Sequence, residues 1–244
     1  MARRFWFALT VVVAATCLAL SAWQFGRRAD RRAQNAEALQ GRTLPLVELG
    51  SLADTQPRNQ RRVRIRGEFD TGREFILRGH LLMGAPGVQV VTPLRLAGSD
   101  SAVLVNRGFV PAADGATPDA PVPGEPGEVV IEGIAIPVPD AEAGGQPAGP
   151  AGRESWRRLD LEAIRGRLPY PILDVYVLAA PDSGRSGWPR RVPPPSLDEG
   201  PHLSYALQWL GIAGAVLGFG MFFVLGVGRR EGPDPGIPAP PARP

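Results

Sequence analysis

The sequence predicts a membrane-anchored α+β protein, with two transmembrane helices flanking a mostly antiparallel β extracytoplasmic domain. Three observations predict it. Two long runs carry no charge, Phe5 to Phe25 and Leu210 to Val227. Residues between them alternate apolar and polar with period two, as in half-buried strands. Three Pro/Gly-rich segments separate the alternating stretches and break any longer ladder.

Composition narrows the chemistry. The chain has 244 residues, a net charge of +3, 30 Gly and 27 Pro. With two spans set aside, one modest domain remains. Every basic residue is Arg, and these residues are scattered or flank the apolar runs; no aromatic-rich basic groove accompanies them, so nucleic acid is not expected as a partner. The single cysteine, Cys17, lies inside the first apolar run, which excludes an intrachain disulfide and a Cys-based metal site. Two histidines, His80 and His202, and no Gly-rich phosphate loop leave few enzymatic chemistries open.

The N-terminal residues 1–4 are short, basic and expected to be cytoplasmic. The run 5–25 is long enough to cross a bilayer core of about 30 Å. A cleaved signal peptide is the competing reading, with Ala19-Leu20-Ser21 as a small-residue site. The run continues past it through Trp23 and Phe25, which favours an uncleaved helix. Arg27-Arg28-Ala29-Asp30-Arg31-Arg32 then reads as a helical extension reaching about Leu39. Ala15, Ala19 and Ala22 form a small-residue seam on the first span; Gly211, Gly214 and Gly218 form one on the second. Such seams let helices approach closely. Trp23-Gln24 and Gln208-Trp209 belong to the same leaflet if both spans cross once.

Residues 26–200 form the predicted extracytoplasmic domain. Val63 to Asp70 alternates strictly and reads as a strand, followed by Glu74 to Arg78, Gly87 to Leu94, Ala102 to Val110, Glu128 to Ile136 and Asp174 to Ala179. Ala102 to Val110 is the most apolar and is predicted to be central. Gly98-Ser99-Asp100 supplies the turn before it. Trp156 to Ile164 reads as a short helix. Pro111 to Gly127, Pro137 to Gly152 and Pro181 to Pro195 read as loops. Arg107 lies on the apolar face of its strand, where a charge needs a counter-ion; Glu132 is one candidate. His80 beside Gly79 reads as a solvated turn residue.

The second span is placed at 204–228, with a disordered cytoplasmic tail at 229–244. Arg27, Arg28, Arg31 and Arg32 outnumber Arg3 and Arg4 and would put the domain inside. Asp198 and Glu199 before the second span, with Arg229-Arg230 after it, favour both termini inside and the domain outside. His202 stands at the mouth of this span. On a helix beginning there, His202, Tyr205 and Trp209 share a face, with Gln208 beside them. A histidine so placed is a haem or metal ligand, a proton-active group, or an interfacial polar residue. Arg27 and Arg28 could meet propionates or lipid phosphates, or serve as anchors.

Five pieces together resemble the SURF1 family of cytochrome c oxidase assembly proteins. They are Trp23-Gln24 with Arg27, Arg66 to Phe69, Gly87 to Pro93, Val105 to Pro111, and Pro201 to Trp209. They occur in the family's order and run almost end to end. The chain departs by Phe109, where the family often has Trp, and by its expanded Pro/Gly loops. The resemblance implies a non-enzymatic role in biogenesis of haem-copper oxidases at the bacterial cell membrane, with cytochrome c oxidase subunit I, haem a synthase and membrane lipid as partners. It implies transient haem a binding, with His202 as the iron ligand. Tyr205, Gln208, Trp209, Trp23 and Gln24 are then its expected surroundings. A haem-independent scaffold for oxidase assembly and a two-span extracytoplasmic sensor are the alternatives. A membrane-anchored hydrolase is disfavoured, because no Ser-His-Asp set or nucleophile elbow is present.

Overall fold

The computed structural model describes residues 2–51, 59–119, 121–138, 155–181 and 187–226. The expected tail at 229–244 and most of the loop from Pro137 to Gly152 lie outside them. The chain divides into two compact units, residues 1–35 with 198–244, and residues 36–197.

The first unit holds α1 (Ala2–Thr43) up to Asn35, and α3 (His202–Gly226). Both helices are long and apolar enough to cross a bilayer. Phe5, Trp6, Phe219 and Phe222 are more than half exposed, an arrangement that water disfavours and lipid does not. α1 continues without a break through the arginine-rich stretch. Nothing there stops it, because Arg, Ala, Gln and Glu are all strong helix formers.

The second unit is built on a sheet. Among the described residues eight strands take part: β1 (Val47–Glu48), β2 (Arg61–Phe69), β3 (Phe75–Leu82), β4 (Ala85–Leu96), β5 (Ala102–Pro111), β6 (Glu128–Pro137), β7 (Ser155–Trp156) and β8 (Ile172–Ala179). Their order is β1-β2-β6-β8-β5-β4-β3-β7, and β2 also pairs with β4. That extra pairing closes β2, β6, β8, β5 and β4 into a ring, so the sheet is a small barrel with β1, β3 and β7 appended. Closure removes most exposed edges. It depends on Gly67, which faces Leu96 across the closing pair. A Cβ at Gly67 would overlap the Arg95 carbonyl oxygen.

Most pairings are antiparallel; β1–β2, β3–β7 and β5–β8 are parallel. The alternation of β2 is realised, with Val63, Ile65 and Phe69 buried and Arg64, Arg66 and Glu68 turned outward. β5 is buried at every position from Ala102 to Val110. The reason is that both of its faces are covered. Val103 and Val105 pack with Ile65, Leu94 and Val177 in the barrel core. Ala102 and Leu104 pack with Phe75, Trp156 and Ile164 in a second cluster.

Three expectations need correction. The helix predicted over Trp156 to Ile164 is shorter: α2 is Leu161–Arg165, capped by the Asp160 carboxylate accepting from the Ala163 N–H at 3.0 Å. Trp156 belongs to β7 instead and is fully buried against Phe75, with the Arg167 guanidinium 5.0 Å from its ring. Burying the indole there removes more apolar surface from water than one extra helical turn would. His80 is not a turn residue. It lies in β3 opposite Gly87 and is half-buried, and burial lowers its imidazole pKa.

Arg107 is 1% exposed, and its counter-ions are not Glu132. It donates from Nη1 to Glu74 at 2.7 Å, from Nε to Glu125 at 3.2 Å, and from Nη2 to the Pro123 carbonyl. Its guanidinium also lies 5.1 Å from the centroid of the Phe69 ring. Glu132 instead faces Arg64, its register partner, on the exposed side. The predicted loop after Pro111 is thus fastened to β5 through Pro123 and Glu125. Arg191 fastens the 187–197 segment there too, donating to the Arg107 carbonyl at 2.8 Å. Gly108, at φ +129°, lets that segment approach, since a Cβ would overlap the Arg190 carbonyl oxygen.

Candidate functional site

Within the first unit, α1 and α3 run antiparallel along a seam spaced alternately by three and four residues. On α1 the buried residues are Ala14, Cys17 and Ser21; on α3 they are Ala206 and Ala213. Gly220 extends the second series, and a Cβ on it would overlap the Thr10 side chain. This is heptad-type packing with small residues, which brings the two backbones close. The seams expected from the sequence are therefore displaced. Ala15, Ala19 and Ala22 are exposed, and no side chain or backbone of α1 lies within 4 Å of where a Cβ on Gly211, Gly214 or Gly218 would stand. A residue one or two positions off a heptad points 100–200° away from it, so small size alone does not select the contact face.

Two polar links cross this seam near the start of α3. Ser21 Oγ donates to the Ala206 carbonyl at 2.9 Å and is itself 4% exposed. His202 Nδ1 lies 2.9 Å from Gln24 Oε1. An amide oxygen only accepts, so this contact is met by the neutral tautomer with the proton on Nδ1, the one that keeps a lone pair on Nε2. This is the arrangement in which a second shell fixes the tautomer of a metal-ligating histidine.

The turn before α3 sets the imidazole in place. The Asp198 carboxylate accepts from the Gly200 N–H at 3.0 Å. Glu199 pairs with Arg28 at 2.7 Å and Arg32 at 2.9 Å, and Asn35 donates to the Asp198 carbonyl at 3.0 Å. Gly200 takes φ +67°, and a Cβ on it would stand 3.7 Å from His202 Nε2. Glycine there meets the backbone demand and leaves that side of the nitrogen clear of a side chain. The Pro201 carbonyl then accepts from the Tyr205 N–H at 3.1 Å and the Ser204 hydroxyl at 2.7 Å, closing the first turn.

The structure thus joins His202 to Gln24 and leaves Trp209 half-buried in the seam series. It does not gather the remaining expected residues around the imidazole. Trp23 is 58% exposed, Tyr205 is 47% exposed, and Gln208 also faces outward. Arg28, a candidate for propionates or lipid phosphates, is committed to Glu199, and Arg27 stands 3.8 Å from Asp30. The Ser21–Ala206 hydrogen bond and the pairing of Arg28 and Arg32 with Glu199 are not among the sequence expectations. The three-four spacing from Ala14 through Ser21 to Gln24 and Arg28 was the signal that could have found them.

The donor set suits some metal chemistry and not other kinds. Among the described residues no three His, Cys, Asp or Glu side chains converge to hold a bare ion. A haem iron brings four ring nitrogens and takes one axial histidine. One imidazole oriented through its Nδ1 contact with Gln24 fits that need.

The model for the SURF1 family matches residues 11–214. A SURF1-like protein of Monosiga brevicollis is 32% identical over 161 residues, covering 64% of this chain and 58% of that protein. An uncharacterized SURF1-like protein of Mycobacterium tuberculosis is 28% identical over 250 residues, covering 96% of this chain and 89% of its own. Surfeit locus protein 1 of Mus musculus is 29% identical over 230 residues, covering 86% and 72%.

Proposed function

This chain belongs to the SURF1 family, and from that premise we propose that it is a membrane-anchored, non-catalytic assembly factor for a haem-copper cytochrome c oxidase, one that holds haem a for delivery to the catalytic subunit. Subunit I of the oxidase and haem a synthase are its partners in this reading. The two exposed apolar helices support anchoring in the bacterial cell membrane. Asp198 and Glu199 before α3, set against Arg229 and Arg230 after it, support cytoplasmic termini with the barrel outside.

One observation carries the haem assignment: Gln24 Oε1 lies 2.9 Å from His202 Nδ1, which selects the neutral tautomer whose Nε2 can ligate. Haem, if bound, would be held through His202 and would supply an iron centre that takes a histidine ligand. The chain's own residues do the rest. His202 offers the nitrogen, Gln24 orients the ring, and Gly200 keeps its approach open. Ser21 and the Glu199 ion pairs hold the turn against α1. Trp209, half-buried at the same end of the seam, adds apolar surface.

The test is to purify variants from cells that make haem a and compare haem per protein at equal folded yield. His202→Ala should abolish bound haem. Gln24→Ala should leave the protein folded but weaken retention by roughly 10–100-fold, the usual effect of losing a second-shell partner. If His202→Ala keeps the parent's haem content and spectrum, the ligand assignment is wrong. The seam hydrogen bonds would then act only as a clamp between helices, and the haem-independent scaffold takes its place.

A further inference from the structure

On the half of the helix pair remote from His202, α1 and α3 border a groove of about 860 Å³. Trp6, Val13, Ile212, Ala215 and Phe219 line it, and Arg3 is the one charged residue on its wall among the described residues. The volume falls in the range of roughly 300–1,000 Å³ typical of ligand clefts.

Its length is informative. From Arg3 to Val13 is ten residues on α1, about 15 Å at the helical rise of 1.5 Å per residue. That is half of a hydrocarbon core of about 30 Å. On α3 the lining runs from Ile212 to Phe223 and covers the same depth. A partner transmembrane helix needs a face through both leaflets, whereas this groove stops near the middle. The occupant it fits is one leaflet long, apolar over its length and anionic at the end where the exposed Arg3 stands.

We propose that this groove binds an anionic phospholipid, with an acyl chain along Trp6, Ala215 and Phe219 and the phosphate at Arg3. The proposal rests on the membrane-spanning reading given above. A guanidinium makes charge-assisted, bidentate hydrogen bonds to phosphate, and basic pockets between membrane helices select anionic headgroups. Apolar contact holds the chain with little regard to headgroup; Arg3 supplies the selection.

The full chain is to be reconstituted in phosphatidylcholine bilayers containing a minor fraction of phosphatidylglycerol. An alkaline wash establishes integration, and the lipid retained through mild detergent extraction is then quantified. The parent should retain phosphatidylglycerol well above its bulk share. Arg3→Gln should lower that enrichment about fivefold, the equivalent of about 1 kcal/mol for one arginine at an anionic surface. Ala215→Phe, which fills the groove, should reduce retention of both lipids. Brominated phosphatidylglycerol should quench the parent's fluorescence more than brominated phosphatidylcholine, and Trp6→Phe should remove the difference. Release by alkali would overturn the membrane reading and this inference together. An integrated parent with no phosphatidylglycerol enrichment, or an Arg3→Gln protein with undiminished enrichment, overturns the inference alone.

Discussion

Replacing Arg107 by Met tests how the barrel unit is held together. Arg107 is 1% exposed and pairs with Glu74, which is 21% exposed, and Glu125, which is 13% exposed. Met fills similar volume without the charge, so cavity formation contributes little. What remains is the Glu74 carboxylate shielded from water without its cation, while Glu125 keeps Arg191 at 3.8 Å. Breaking a buried ion pair from one side costs about 3–5 kcal/mol, a large share of a total stability of about 5–15 kcal/mol. Burial already pushes the Glu74 carboxyl above its ordinary value of 4.5, against the opposing pull of Arg107 and the Thr92 hydroxyl. Removing Arg107 removes that pull and raises it further. A carboxyl with a raised folded pKa contributes stability below its unfolded value and loses it as pH rises through the folded one. The Arg107→Met deficit should therefore be smallest near pH 4.5 and grow as pH climbs through the raised value. Urea titration of the detergent-solubilised chain across that window measures it. Adding Glu74→Gln should restore much of the loss, since a neutral group tolerates burial better than an unpaired charge. A deficit below about 1 kcal/mol, or one indifferent to pH, refutes the reasoning.

Four further outcomes are expected. Gly108→Val forces a β-branched residue to φ +129° against the Arg190 carbonyl and should cost at least about 3 kcal/mol, read as lost folded yield; a stable Gly108→Val protein that lost only ligand binding would make β5 a site instead. Gly220→Val should splay the helix pair, while Gly214→Ala should be neutral or stabilise by up to about 1 kcal/mol, in thermal unfolding followed by helical circular dichroism. Tyr205→Phe should leave haem content unchanged, because the ring is exposed, whereas Trp209→Ala should lower it, both read from the pyridine haemochrome of purified protein. A reporter active only in the cytoplasm, fused after Ile136, should be silent; full activity would reverse the topology.

Much of the architecture was legible in the chain because it follows from local pattern. Apolar runs without charge specify two long helices whatever surrounds them. Strict alternation at Val63, Ile65 and Phe69 specifies a strand with one wet face, and the unbroken apolar run of Ala102 to Val105 specifies one covered on both sides. The motif from Pro201 to Trp209, with Trp23-Gln24 at the same level, was enough to bring His202 and Gln24 into consideration together. Tertiary structure decided what periodicity cannot encode, namely the identity of each partner. Closure of β2 on β4 through Gly67 and the parallel pairing of β5 with β8 join residues far apart in sequence. Arg107 meets Glu74 and Glu125 rather than Glu132 because register gives Glu132 to Arg64 on the outer face. Ala206, Ala213 and Gly220 form the seam, and Gly211, Gly214 and Gly218 do not, because helix contact is set by angular phase against a particular neighbour. Periodicity reports which side of an element is buried; only the folded chain supplies the surface that buries it.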